Sequence, residues 1–320
     1  MRNKIEIGIS LNGSCNFHCR MCDIWKNNDS GQKLDFAKAC EIVDALVSFQ
    51  VKGVRLSGGE PFLVPWVLDL ARCISDKGYH SVVTTNGSMI NRAFADRIIS
   101  SGISNVNLSL DGHNAGIHDS CRNSPGSFDK VMNAIEFLSR ESNLSIGINT
   151  VISNMNIDSI VPLSRLVQRD QRISHIYFMA VMQPFGSSSD REWFLKEENR
   201  YLWPQDEKRV GEVMNELIGL KEEGYKINNS FAQLKTFMKY FSNPLDFTKR
   251  LKCNLGEEQV EVNQLGDVYL CYHHESIGNV FRDNLFDIWN SSKADEVRGK
   301  IRACRQNCNL LVNCYFEEDV

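Results

Sequence analysis

Three cysteines near the start of the chain, Cys15, Cys19 and Cys22 in the run SCNFHCRMCDIW, have the spacing C-x-x-x-C-x-x-C. A loop of that length can turn three thiolates toward one point. Thiolates are soft ligands that suit iron–sulfur clusters, zinc and copper(I). A 4Fe–4S cluster takes four cysteines when fully coordinated, so three leave one iron open, and an open iron is a place for a reaction. The alternative is a structural zinc knuckle, which wants four protein ligands. No fourth cysteine lies nearby, and His18 could only replace one of the three.

A second group, Cys253, Cys271, Cys304, Cys308 and Cys314, holds five of the chain's eleven cysteines. That density in one short stretch points to a metal or cluster site rather than to disulfides, with four thiolates around zinc as the alternative. Cys40 and Cys73 stand in helix-like segments and read as small core residues. Cys121 precedes Arg122 in HDSCRNSPGSF and reads as a loop cysteine near the site.

The elements that must position these residues alternate. Strand candidates are Ile5–Ser10, Val54–Leu56, Ser81–Thr85, Asn105–Leu110, Ser145–Val151 and His175–Val181. Amphipathic helix candidates lie between them: Phe36–Phe49, Val64–Lys77, Arg92–Ser101, Phe128–Glu141 and Ile157–Gln168, with Asp35 and Asn91 placed as N-caps. Such alternation is the pattern of βα units on a parallel sheet, whose active sites gather at the C-terminal strand ends. There the chain carries LSGGEP (56–61), TTNG (84–87) and SLDG (109–112). Each alone reads as an ordinary turn; their joint occurrence downstream of the cysteine triad is the signal. A charged helix over about 205–224 and an aromatic connector follow.

Composition narrows the class. Hydrophobic content of 42% and charged content of 24% are those of an ordinary globular chain, and a net charge of −4 argues against a nucleic-acid footprint. No apolar run is long enough to span a bilayer, and MRNKIEIGIS lacks a signal-peptide core. The expected location is the cytoplasm, with no membrane and no nucleic-acid partner.

Through the cysteine triad, GGEP, TTNG, SLDG and HDSCRNSPGSF, the first 180 or so residues resemble the radical S-adenosylmethionine (SAM) enzymes. The resemblance implies an α/β fold: a partial (βα)6 TIM-like barrel over residues 1–203, a helical connector over 204–252 and a small α+β cysteine-rich domain over 253–320. It implies that Cys15, Cys19 and Cys22 hold a 4Fe–4S cluster whose open iron binds SAM. Gly58, Gly59 and Glu60 would hold the methionine amine, Ser109 and Arg122 its carboxylate and ribose side, with Asn86 and Asp111 as weaker contacts. Met21 stands where the family often has an aromatic and could lie against adenine, as could Trp25. The tail, with C-x12-G-x4-C from Cys253 onward, is similar to the SPASM/twitch extensions. One auxiliary 4Fe–4S cluster fits the count, on Cys253, Cys271, Cys308 and Cys314 with Cys304 as the alternative ligand.

The implied function is reductive cleavage of SAM to a 5′-deoxyadenosyl radical. That radical abstracts hydrogen from a small-molecule (sugar- or aminoglycoside-like) or peptidyl substrate, for dehydrogenation or epimerisation, and the resemblance makes Cys121 a candidate to return a hydrogen atom in an epimerisation. Electrons would come from a flavodoxin- or ferredoxin-type donor. The rival readings are a peptide-modifying maturase and, from another class, a non-catalytic iron–sulfur or zinc scaffold.

Overall fold

Alternate residues along the first six strands are apolar, and in the computed structural model of the chain that face is buried. The structure describes residues 4–26, 32–140, 143–185, 187, 190–246 and 253–304. The strands are β1 (Ile5–Ser10), β2 (Val51–Ser57), β3 (Ser81–Thr85), β4 (Asn105–Ser109), β5 (Ser145–Ile152) and β6 (His175–Ala180). Each pairs with the next in parallel. A parallel neighbour requires a crossover, supplied by α1 (Phe36–Ala45), α2 (Val67–Asp76), α3 (Arg92–Ser100), the pair α4 (Ala115–Arg122) and α5 (Ser127–Leu138), and α6 (Ile160–Arg169). Asp35 caps α1 and Asn91 caps α3, each accepting a backbone N–H from within the first turn. Each cap stabilises its helix by about 1 kcal/mol.

Ile7, Ile9, Leu56, Val83, Val106, Leu108, Ile148 and Phe178 have no exposed surface and join the buried helix faces in one core. The opposite face reads differently. It presents Glu6, Gly8 and Ser10 from β1, Arg55 and Ser57 from β2, Thr84 from β3, Asn105, Asn107 and Ser109 from β4, and Asn149, His175 and Tyr177 from β5 and β6. Most of these are half-buried. Parallel sheets normally bury both faces under apolar cover; this one keeps its inner face polar and partly open.

After β6 the chain continues through α7 (Glu207–Glu222), α8 (Phe231–Ser242) and the short α9 (Leu255–Glu258). It then re-enters the sheet as β7 (Gln259–Val262), β8 (Asp267–Tyr269) and β9 (Gly278–Asn279), and ends among the described residues with α10 (Leu285–Trp289) and α11 (Ser292–Ala303). β7 pairs in parallel with β1, and β8 and β9 follow antiparallel, giving the order β6-β5-β4-β3-β2-β1-β7-β8-β9. The cysteine-rich segment therefore extends the barrel sheet. Glu261 of β7 lies across Gly8 to reach Arg55, which also pairs with Glu6. A Cβ on Gly8 would stand 2.0 Å from the Glu261 carboxylate, so only glycine admits this three-strand bridge.

The structure changes two readings. Cys121 is not on a loop: it sits in the last turn of α4, without exposed surface and within the core. Burial pushes its thiol up to about 12, so the sulfur stays a protonated thiol. Cys40 and Cys73 are half-buried rather than core, and they face each other. Trp193 and Trp203 are buried and pack with Phe194, Tyr240 and Phe241.

Candidate active site

The cysteine triad lies in the loop leaving β1, and the turn leaving β2 is laced to it. Gly59 N–H donates to the Asn12 carbonyl and Glu60 N–H to the Ser14 carbonyl, each at 2.9 Å, while Asn12 Nδ2 returns a bond to the Glu60 carbonyl. Gly58 adopts φ +130°, which L side chains avoid, and a Cβ on Gly59 would stand 2.0 Å from the Ser14 carbonyl oxygen. The two glycines are what let the turn press against the cysteine loop.

Glu60 has a different part from the one expected. Only 1% exposed, its carboxylate accepts from Phe62 N–H (3.1 Å), Thr85 Oγ1 (2.8 Å) and Asn86 N–H (2.8 Å). Burial pushes its carboxyl up while those donors and Arg122 pull it down, with burial prevailing. Its side chain thus braces the TTNG turn, and the backbone of 58–60 is what remains for a ligand. Braced in this way, Asn86 Nδ2 reaches Asn16 Oδ1 at 2.9 Å and the Cys15 sulfur at 3.9 Å.

On the other side, Asp111 follows β4 without exposed surface. It accepts from Val151 N–H at 2.9 Å and pairs with Arg122 Nε at 2.7 Å, an ion pair whose angle lies outside hydrogen-bond geometry. The Asp111 carboxylate and the Cys19 thiol hold Arg122 charged, its pKa raised against the opposing cost of burial. Arg122 Nη1 lies 3.8 Å from the Cys19 sulfur. Arg20 binds the loop to α4 as well, donating its N–H to the Cys121 carbonyl and its Nε to that of Ser120.

Ser109 ends β4 on the inner face, 9% exposed. Met21 packs into the core at 8% exposure. Trp25 is half-buried; its Nε1 donates to the Cys22 carbonyl and its ring stacks on His18, centroids 4.2 Å apart.

Burial raises the Cys15 thiol and pushes Cys22 up to about 11, with Arg122 pulling Cys22 down. Metal ligation must therefore expel protons from these two sulfurs. Among the described residues no three His, Cys, Asp or Glu groups close on a single point as one metal ion requires. A cube of four irons asks instead for one thiolate per iron.

Sequence reasoning missed Asn16, Arg20, His118, Phe185 and Tyr201. Phe185 pairs backbone to backbone with the triad, its carbonyl accepting from Asp23 N–H at 2.8 Å, and Tyr201 Oη donates to the Arg20 carbonyl. His118 Nδ1 accepts from Asp111 N–H at 3.1 Å and so fixes the residue that fixes Arg122. Only His118 carried a local clue, its place four residues after the N-cap Asn114.

In the tail, Cys271 follows β8 and its sulfur accepts from His273 N–H at 3.4 Å. Cys253 and Cys304 are close enough for Cys304 to raise the Cys253 thiol, though burial is the larger cause. Cys308 and Cys314 lie outside the described residues.

A family model described as the radical SAM superfamily matches residues 9–167, and one described as an iron–sulfur cluster-binding domain, SPASM, matches 253–315. The chain is 25% identical to an AdoMet-dependent heme synthase of Methanosarcina barkeri, covering 98% of this chain and 94% of that protein. It is 26% identical to the mycofactocin maturase MftC of Mycobacterium tuberculosis, covering 93% and 76%. Among solved structures, Streptococcus suis SuiB bound to its precursor peptide SuiA shares the fold with a TM-score of 0.70 at 17% identity, over 98% of this chain and 71% of that one. Among the described residues no helix is long and apolar enough to cross a membrane.

The cofactors of these two domains are SAM and 4Fe–4S clusters. The residues present fit them: three thiols in one loop, a glycine turn that no Cβ could enter, and a buried guanidinium at the edge. The chain is a member of the radical SAM superfamily with a C-terminal SPASM iron–sulfur cluster-binding domain.

Proposed function

We propose that this enzyme removes a hydrogen atom from an aliphatic carbon of a polar substrate, with a peptidyl residue ahead of an aminoglycoside-like sugar, for dehydrogenation or epimerisation. The observation that carries the reading is the polar inner face of the barrel. Asn105, Asn107, Asn149, His175, Tyr177 and the Arg55–Glu261 bridge offer hydrogen-bonding groups along that face. The Oδ1 atoms of Asn105 and Asn107 are buried without a hydrogen-bond partner. A buried acceptor left without a donor is costly, so a guest with N–H or O–H groups is favoured. The heme synthases among the relatives suggest a tetrapyrrole instead. A macrocycle wants apolar walls, and on the first six strands this face gives it Val82, Val151 and Met179.

With cluster and SAM bound, reductive cleavage of SAM supplies the hydrogen-abstracting radical. Cys15, Cys19 and Cys22 are the cluster ligands in this reading. The Gly58–Glu60 backbone takes the methionine amine, and Ser109 and Arg122 the carboxylate and ribose side. Asp111 holds Arg122 in place, and Glu60 holds Asn86. Cys253, Cys271, Cys308 and Cys314 take the auxiliary cluster in this reading, with Cys304, which lies near enough to raise the Cys253 thiol after the larger effect of burial, as the alternative ligand. A flavodoxin- or ferredoxin-type protein supplies electrons.

The test is anaerobic reconstitution, dithionite and SAM, with 5′-deoxyadenosine measured. If Cys22→Ala leaves cleavage intact, the triad is not the cluster site. Deuterated peptides, an aminoglycoside and an iron porphyrin are then compared for deuterium transfer into 5′-deoxyadenosine. Transfer from the porphyrin alone overturns the substrate class.

A further inference from the structure

The stripe where α1 meets α2 holds two rungs. In one, Cys40 Sγ and Cys73 Sγ stand 3.7 Å apart, from residues 33 positions apart in the chain. In the other, one helical turn further on along each helix, Lys77 Nζ pairs with Asp44 at 2.7 Å. The salt bridge fixes the facing register of the helices independently of the sulfurs. Both thiols are half-buried, so a small reagent can reach them, and neither belongs to the triad or to the tail group.

We infer that Cys40 and Cys73 form an oxidisable dithiol site, which takes a low-molecular-weight disulfide of the glutathione type and closes to a bond between α1 and α2. A thiolate of the pair attacks one sulfur of the reagent, releasing one thiol and leaving a mixed disulfide. The second cysteine displaces the remaining half. The sum is two protein thiols and one small disulfide giving one protein disulfide and two small thiols, two electrons passing to the reagent. A bonded pair stands at about 2.05 Å, so the sulfurs close by roughly 1.7 Å, within reach of side-chain rotation and a small helix shift. Burial, the Cys73 thiol and Asp44 together push the Cys40 thiol up to about 11, with Lys77 opposing. The pair accordingly reacts slowly at neutral pH and exchanges faster at alkaline pH.

The site lies on the outside of the barrel, yet it joins the two βα units that begin with the cysteine loop and with the Gly58–Glu60 turn. Closing it ties those units together behind the cofactor site.

The experiment treats the anaerobic, cluster-loaded protein with mixtures of reduced and oxidised glutathione. It is then quenched with N-ethylmaleimide and mapped as tryptic peptides without reduction. The expected product joins residues 39–52 to 73–77, with iron content unchanged and the melting temperature raised. Cys40→Ser treated in the same way shows neither the cross-link nor the rise. Two free, alkylated thiols at full oxidation overturn the site, as does a lasting glutathione adduct on either cysteine of the wild type. So does a cross-link from Cys40 to any other cysteine in Cys73→Ser, which would make the pairing a matter of mobility rather than of the helix register.

Discussion

Replacing Asp111 by Ala tests whether the ion pair with Arg122 organises the site. Asp111 has no exposed surface and the Arg122 side chain is 12% exposed. The substitution removes the only carboxylate among the described residues that pairs with that guanidinium and takes the acceptor from Val151 N–H. Removing one partner of a buried pair costs about 3–5 kcal/mol, because the other charge stays buried. An orphaned backbone donor adds about 1 kcal/mol or more. Asp111→Asn keeps an oxygen for Val151 and loses only the charge, so about 3 kcal/mol is expected. Against total stabilities of about 5–15 kcal/mol either loss is large. Urea unfolding, followed by tryptophan fluorescence, reads it as a lower midpoint at unchanged slope. The double variant Asp111→Asn with Arg122→Gln should recover part of the loss, since no uncompensated charge remains. A single-variant loss under about 1 kcal/mol, the range of exposed pairs, would refute the argument.

Other substitutions probe the same architecture. Gly59→Ala, whose Cβ meets the Ser14 carbonyl at 2.0 Å, should weaken SAM binding about tenfold or more, a loss of ~1.4 kcal/mol; equilibrium dialysis reads it, and an unchanged Kd counts against the turn as the binding element. His118 is held neutral by burial, its pKa lowered to about 4 from 6.5. Its contribution is complete above pH 6.5 and is lost as pH falls toward 4, about 3 kcal/mol in all. In His118→Gln the midpoint should fall less steeply over that window, and parallel pH curves would show that the ring does not matter. Cys253→Ser should lower iron from about eight to about four per chain, as expected if one of two 4Fe–4S clusters is lost; unchanged iron would remove Cys253 from the ligand set.

The strands were legible because their outer faces alternate strictly. Ser81–Thr85 and Ile5–Ser10 stand as expected, and β4, β5 and β6 differ by a residue at one end. β2 runs further than expected because Val51–Gly53 carry no apolar alternation, and the neighbouring strand completes them. α4 escaped notice since AGIHDSCR is polar and short, and its stop is Asn123 in the left-handed region rather than a glycine. At the site, residue types were legible and directions were not. GGEP announced a glutamate near the cofactor, yet only the fold shows its carboxylate spent on Thr85 and Asn86. No local pattern marks β7 as the partner of β1, because a parallel pairing across some 250 residues is set by burial of both faces rather than by a turn.

That pairing has a consequence for how the chain is made. β1 needs β2 on one side and β7 on the other, and β7 is not complete until Val262. At roughly 5–20 residues per second on the ribosome, the first strand waits on the order of ten to fifty seconds for its second neighbour. Throughout that interval its edge is open, a template for unwanted strand pairing, beside a loop of three free thiols. Glu6 and Gly8 on that strand await Arg55 and Glu261 to neutralise and cover them. β1 is thus finished only after some 250 further residues have been made, and cluster loading has a natural order: it follows completion of β7.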